Sequence, residues 1–128
     1  MKLAQNAALA VRVGHYETRR GYCSRFARQV TSYTFGDRFN HLFGGNAAET
    51  AHRFNEAGCC WKAGEIELQP GDFLFKNKAG PPGHVGIVTD TLLVAENSST
   101  KIGRVRGALG FRSLEQFGHF NYVGRLPI

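Results

Sequence analysis

The sequence predicts an α+β domain, with N-terminal helices packed on a small antiparallel β-sheet supplied by the second half of the chain. Three observations predict it. Before Gly58, apolar residues recur at spacings of three or four, the helical period. After Cys60 they come in short runs broken by Gly, Pro and Asp, the pattern of strands and turns. A chain of 128 residues with 42% hydrophobic and 12% aromatic content is enough for one core, so 1–128 is read as a single domain.

The first helix is expected over residues 3–13. Leu3, Ala7, Ala10 and Val13 fall near one face, and Gly14 supplies the stop. The alanine-rich start looks superficially like a leader, but Gln5, Asn6 and Arg12 interrupt its apolar stretch. It is therefore read as a helix of the mature protein, and the chain is expected to be made in the cytoplasm with no export address of its own. Residues 15–22 (HYETRRGY) form a polar loop. Cys23 then opens a second helix whose apolar face is Phe26, Ala27, Val30 and Tyr33, with Ser24, Arg25, Arg28 and Gln29 opposite and Gly36-Asp37 at its end.

Residues 38–45 (RFNHLFGG) read as a loop whose apolar side chains pack on the body. Asn46 followed by Glu49 is a capping-box-like helix start. Ala47, Ala51, Phe54 and Ala57 give that helix its stripe, and Gly58 closes it. Residues 61–67 lead into the strands.

Residues 70–99 (PGDFLFKNKAGPPGHVGIVTDTLLVAENSS) are the most informative stretch. Pro70-Gly71 is a turn pair, since Pro presets φ and Gly accepts a positive φ. Phe73-Leu74-Phe75 suits a buried strand. Ala79-Gly80-Pro81-Pro82-Gly83 must interrupt it, because proline lacks the ladder N–H. His84-Val85-Gly86-Ile87-Val88 is the next strand, Asp90-Thr91 a hairpin turn, and residues 92–97 the third. After Ser99 the chain is basic and Gly-rich, fitting either a strand and loop or a solvated connection. Residues 113–117 look like one helical turn and 121–126 like a last strand.

The formal net charge is +6, which suits an anionic partner. The only basic clusters, Arg19-Arg20 and residues 101–106, lack the density and interleaved aromatics of a nucleic-acid site, so no nucleic acid is expected. No apolar run is long enough to span a bilayer. The three cysteines argue against a disulfide framework, being odd in number. Cys59-Cys60 read as small buried residues. No C-x2-C or H-x3-H spacing occurs, and Glu49 with His52 is too little for zinc, so neither metal nor cofactor is expected. His41 and His52 read as surface residues.

The remaining polar residues converge on one chemistry. Cys23 opens a helix, where unpaired N–H groups and the dipole favour a thiolate, the nucleophilic form. His84 begins one strand, while Glu96 and Asn97 end the strand expected beside it. A base and its orienter on adjacent strands need only a nucleophile from elsewhere, and Cys23 is the candidate. Along a regular strand Glu96 and Asn97 point to opposite faces, so only one of them orients His84. Glu96 is the first choice and Asn97 the alternative.

GYCSRFARQV, LQPGDFLF, GHVGIV and AENSS, in that order and spacing, resemble the NlpC/P60 and CHAP cysteine peptidases over roughly residues 11–126. The resemblance implies a papain-like fold that cuts peptidoglycan, as an endopeptidase or as an N-acetylmuramoyl-L-alanine amidase. Cys23 then matches the nucleophile, His84 the general base, and Glu96 or the adjacent Asn97 the third polar residue. The partners implied are a peptidoglycan stem peptide and an anionic wall surface, reached after release or delivery, as by a short phage or prophage lytic enzyme or a secreted toxin. The chain departs from many NlpC/P60 sequences in having Tyr22 before the cysteine and Ser24-Arg25 after it, which blurs the division between the two groups. A tyrosine upstream of the cysteine often assists at such sites; Tyr16 and Tyr22 both precede it, and neither has a convincing spacing. Two other readings fit the same residues: a papain-like amidase or transacylase acting on a non-wall substrate, and a non-catalytic wall-binding or virion module.

Overall fold

The structure, a computed structural model, describes residues 2–14, 16, 22–98, 104–106 and 109–128, with only the main chain of 104–106. The chain is α+β. Its elements, in order, are α1 (Lys2–Val13), α2 (Cys23–Phe35), a 3-10 turn (Asn40–Leu42), α3 (Ala47–Glu56), β1 (Cys60–Lys62), β2 (Phe73–Lys76), β3 (His84–Val88), β4 (Val94–Asn97), β5 (Arg104–Arg106), β6 (Leu109–Arg112), α4 (Leu114–Phe117) and β7 (Tyr122–Gly124). Among the described residues the strands form one seven-stranded sheet in the order β1-β7-β2-β3-β4-β6-β5. Every pairing in it is antiparallel.

The sheet has a different cover on each face. Phe73, Phe75, Val85, Ile87, Ala95 and Leu109 face the three long helices and share a core with them. Leu74, Val88, Val94 and Val123 face the other way, onto Phe117 of α4 and the loop residues Ile66 and Leu68. The strands were legible because both faces are buried, which makes β2 and β3 nearly continuous apolar runs. Phe54 fixes α3 to the sheet: its ring centroid lies 5.3 Å from that of Phe73 and 5.5 Å from that of Phe75.

The helices keep the expected bounds but rotate their stripes. Tyr33 is 70% exposed, whereas Ser24 and Thr31 are buried. Ser24 is paid for by a 2.8 Å hydrogen bond to Thr50 of α3, so a buried hydroxyl finds its partner on the next helix. On α1 the buried set is Leu3, Ala4, Ala7, Ala10 and Val11, with Val13 at the edge. On α3 Thr50 replaces Ala57 in the stripe. The Asn46 side chain accepts from the Glu49 N–H at 2.8 Å, as capping requires. Glu49 answers one residue earlier than a strict capping box, on the Gly45 N–H at 2.9 Å.

Several strand expectations change. The last strand is Tyr122–Gly124, shorter than the expected 121–126, and the basic segment that fitted either a strand or a connection supplies β5 and leads into β6. Cys60–Lys62 is a strand, β1, which sequence reading passed over as a lead-in; at three residues it is too short to show an alternation. The third strand of the hairpin starts at Val94 rather than Leu92, because Leu92 adopts φ +59° to close the turn. The Thr89 N–H donates to the Leu93 carbonyl at 2.8 Å across that turn. Ser113 caps α4 with a full capping box. The Arg19-Arg20 cluster lies outside the described residues, and so does the basic segment 101–106 except for the main chain of β5. No helix among the described residues is long and apolar enough to cross a membrane.

Asp72 of the Pro-Gly-Asp turn is structural. It is 1% exposed and takes the Arg125 guanidinium at 2.7 and 2.9 Å, while accepting the Gln69 N–H at 2.8 Å. The turn is thereby clamped to the C-terminal segment beyond β7.

Candidate functional site

Cys23 is the first residue of α2, and α2 packs against β3 and β4. Its thiol is buried and hydrogen-bonded to His84. Main-chain N–H groups of Val85 and Ser24 also donate toward the sulfur. Burial alone would push this thiol up; the hydrogen bond and charge of His84, helped by those two N–H groups, outweigh it and hold the thiol below its ordinary value.

His84 opens β3 beside Lys76 of β2. Its Nε2 lies 2.6 Å from Glu96 Oε1, which leaves Nδ1 for the thiol. Burial would lower the imidazole's proton affinity. The hydrogen bonds to Cys23 and Glu96 reverse that and raise it above the ordinary histidine value.

Strand register explains why Glu96 rather than Asn97 reaches the histidine. Ile87 pairs with Ala95 and Val88 with Val94. Continuing that ladder sets Gly86 opposite Glu96, with His84 one step along the same face. On the far side Glu96 pairs with Gly110. A carboxylate flanked by two glycines has room to lean diagonally toward both neighbouring strands. Glu96 is fully buried, and it meets His84 on β3 and Arg112 on β6. Burial would raise its carboxyl pKa, but the hydrogen bonds from His84 and Arg112 outweigh this and bring it down to about 2. Asn97 is buried on the opposite, helix-covered face, paired with Leu109 across β6. The structure thus brings Cys23, His84 and Glu96 together in a chain and turns Asn97 to the other side of β4.

Sequence reading missed Arg112. It is 5% exposed, and its Nη2 donates to Glu96 Oε1 at 2.6 Å while its Nε meets Oε2. The strand LGFR gave one faint sign, a lone cation at the end of a short apolar run, but its partner lies 16 residues away. Phe117 of α4 floors the group: its ring centroid is 5.8 Å from that of His84 and 5.2 Å from the Arg112 guanidinium carbon. Lys76 sits over the same ring at 4.1 Å and donates to the Phe117 carbonyl.

Gly86 is required by this packing. A Cβ there would meet Val94 Cγ1 at 2.3 Å and Phe117 Cε1 at 3.2 Å. Gly86→Ala is therefore expected to cost about 1–3 kcal/mol by overpacking, measurable by denaturant unfolding, and to disturb the seat of His84.

The remaining candidates lie elsewhere. Tyr16 packs edge-on against Phe26 at 5.3 Å, and the Tyr22 ring lies 4.8 Å beneath the Arg25 guanidinium. His52 pairs with Glu56 on the exposed side of α3. Cys59 is buried and donates to the Phe54 carbonyl at 3.4 Å; burial raises its pKa. Burial and the neighbouring Cys59 push Cys60 up to about 11. Both are thiols at neutral pH, so replacing the two together by Ala is expected to leave the pH dependence of Cys23 alkylation unchanged. No cluster of three or more His, Cys, Asp or Glu able to hold a metal occurs among the described residues. The chain matches no protein-family model, and no curated protein matches it.

Proposed function

We propose that this chain is a papain-like cysteine hydrolase of the NlpC/P60–CHAP kind that cuts an amide bond in peptidoglycan. One observation carries the reading: a thiol at a helix N-terminus is hydrogen-bonded to a histidine whose other nitrogen is held by a buried, ionised carboxylate. That is the nucleophile, base and orienter of acyl transfer in the order the chemistry needs.

In this mechanism His84 takes the Cys23 proton, giving a thiolate–imidazolium pair. Both pKa shifts favour that pair, since the thiol is held low and the imidazole high. Glu96 fixes the ring so that Nδ1 faces the sulfur. The thiolate attacks the amide carbonyl, and N–H groups at the start of α2 face the oxygen as it gains charge. The imidazolium then protonates the leaving amine, and water, deprotonated by His84, releases the acyl group. The peptidoglycan assignment adds the motif resemblance and the +6 net charge, which suits an anionic wall and whose pull weakens with salt.

The test is a digest of purified peptidoglycan by wild type and Cys23→Ala, with fragments read by mass spectrometry. Fragments from the wild type alone are expected, and their ends assign the cut to the muramoyl–alanine bond or to the peptide. Intact walls from several bacteria with folded wild-type protein would overturn the wall assignment and turn the search to another amide.

A further inference from the structure

We propose that Arg112 is a positioning residue of this site, holding the Glu96 carboxylate ionised and in the plane that meets His84 Nε2. The proposal rests on the chemistry assigned to Cys23, but it is testable on the thiol itself.

Three features carry it. First, Arg112 grips both oxygens of Glu96, Nη2 on Oε1 at 2.6 Å and Nε on Oε2. A planar fork on a planar carboxylate fixes orientation as well as charge. Oε1, the oxygen that meets His84, is also one that Arg112 holds. Second, the pair is out of water, with Glu96 fully buried and Arg112 only 5% exposed. A buried ion pair returns little net stability, because desolvation offsets its attraction; what it does supply here is geometry. Third, Glu96 has no room to be neutralised by solvent. Without Arg112 the one cation hydrogen-bonded to it among the described residues is His84, and the thiolate form of the site would hold two anions against that single hydrogen-bonded cation. With Arg112 the thiolate, imidazolium, carboxylate and guanidinium sum to zero.

The charged and titratable groups grouped around Glu96 are Cys23 from α2, Lys76 from β2, His84 from β3 and Arg112 from β6. Lys76 is itself anchored to Phe117, so it does not substitute for the fork.

The experiment measures the rate of Cys23 alkylation by iodoacetamide against pH, with peptide mass mapping to count Cys59 and Cys60 separately. Removing a cation raises the proton affinity of every group coupled to it. Folded Arg112→Met is therefore expected to shift the acid-side midpoint of thiolate formation up by about one pH unit. Arg112→Lys keeps the charge and loses the fork. Its midpoint should stay near wild type while kcat for hydrolysis falls, by up to roughly a hundredfold, at unchanged KM. In a Glu96→Gln background, adding Arg112→Met should move the midpoint less than half as far, because the coupling runs through Glu96.

An unmoved midpoint in folded Arg112→Met, or an equal shift in the Glu96→Gln background, overturns the proposal. If circular dichroism shows Arg112→Met unfolded, Arg112→Gln, which still donates to the carboxylate, is read by the same criteria. The expected alkylation shifts in the Arg112 variants, beside a wild type that cleaves no wall, would overturn the peptidoglycan reading and leave the role of Arg112 standing.

Discussion

Replacing Cys23 by Ala is expected to lower the rate of hydrolysis roughly 10^4- to 10^6-fold while the protein stays folded. The size follows from the mechanism. Without sulfur there is no acyl-enzyme, and what remains is binding plus the helix N-terminus acting on a carbonyl that nothing attacks. The stability cost is small by comparison. The thiol is 5% exposed and sits at the first position of α2, so its removal deletes one small buried atom and one hydrogen bond to His84, about 1 kcal/mol in total. A melting curve beside the rate assay separates the two effects. Loss of activity together with loss of the folded signal would make Cys23 a core residue; full activity would remove it as the nucleophile.

The reach of sequence reading here divides along physical lines. Local signals were legible. Asn46 with Glu49, the helical turn at 113–117 and the Pro70-Gly71 turn each make contacts within a few residues, and each sits where its spacing puts it. Cys23 was legible for the same reason, since a helix start is a local event. The closeness of His84 and Glu96 was legible because they lie on the two strands of a hairpin, whose register a short turn fixes. The choice between Glu96 and Asn97 was narrowed by alternation but decided by tertiary structure: the glycines at 86 and 110 leave the carboxylate space, and Gly110 comes from a strand beyond the hairpin.

Arg112 could not be read from spacing. It reaches Glu96 from β6, across a segment with no turn signal strong enough to set register. Stripe errors have one cause as well. Tyr33 has the helical period but lies at the rim, and Ser24 lacks apolarity but has Thr50 waiting opposite. Periodicity assigns faces by residue type, whereas burial is settled by what the next element presents.

Glu96→Gln is expected to cost roughly 10^2- to 10^4-fold in kcat/KM, where Asn97→Ala costs far less. The amide has the size of the carboxylate but carries no charge. It can present an N–H to Nε2 and so select the wrong tautomer, the one with its proton on the nitrogen that must take the thiol's. Two pH effects follow. In wild type the rate should rise as pH climbs through the lowered Cys23 value and fall through the raised His84 value, a bell. Loss of the anion lowers the proton affinity of His84, so the basic limb of Glu96→Gln should move to lower pH. Stability responds with the opposite sense to a raised group. The folded pKa of Glu96 is depressed to about 2 from 4.5, so its contribution is complete above the unfolded value and is lost as pH falls toward 2. That contribution is about 3 kcal/mol. Wild type should therefore lose stability below about pH 5 more steeply than Glu96→Gln, a variant already weakened by an unpaired Arg112. Chemical unfolding at several pH values measures the slope. Parallel slopes for the two proteins, or a greater loss of activity from Asn97→Ala than from Glu96→Gln, would take the orienting role away from Glu96.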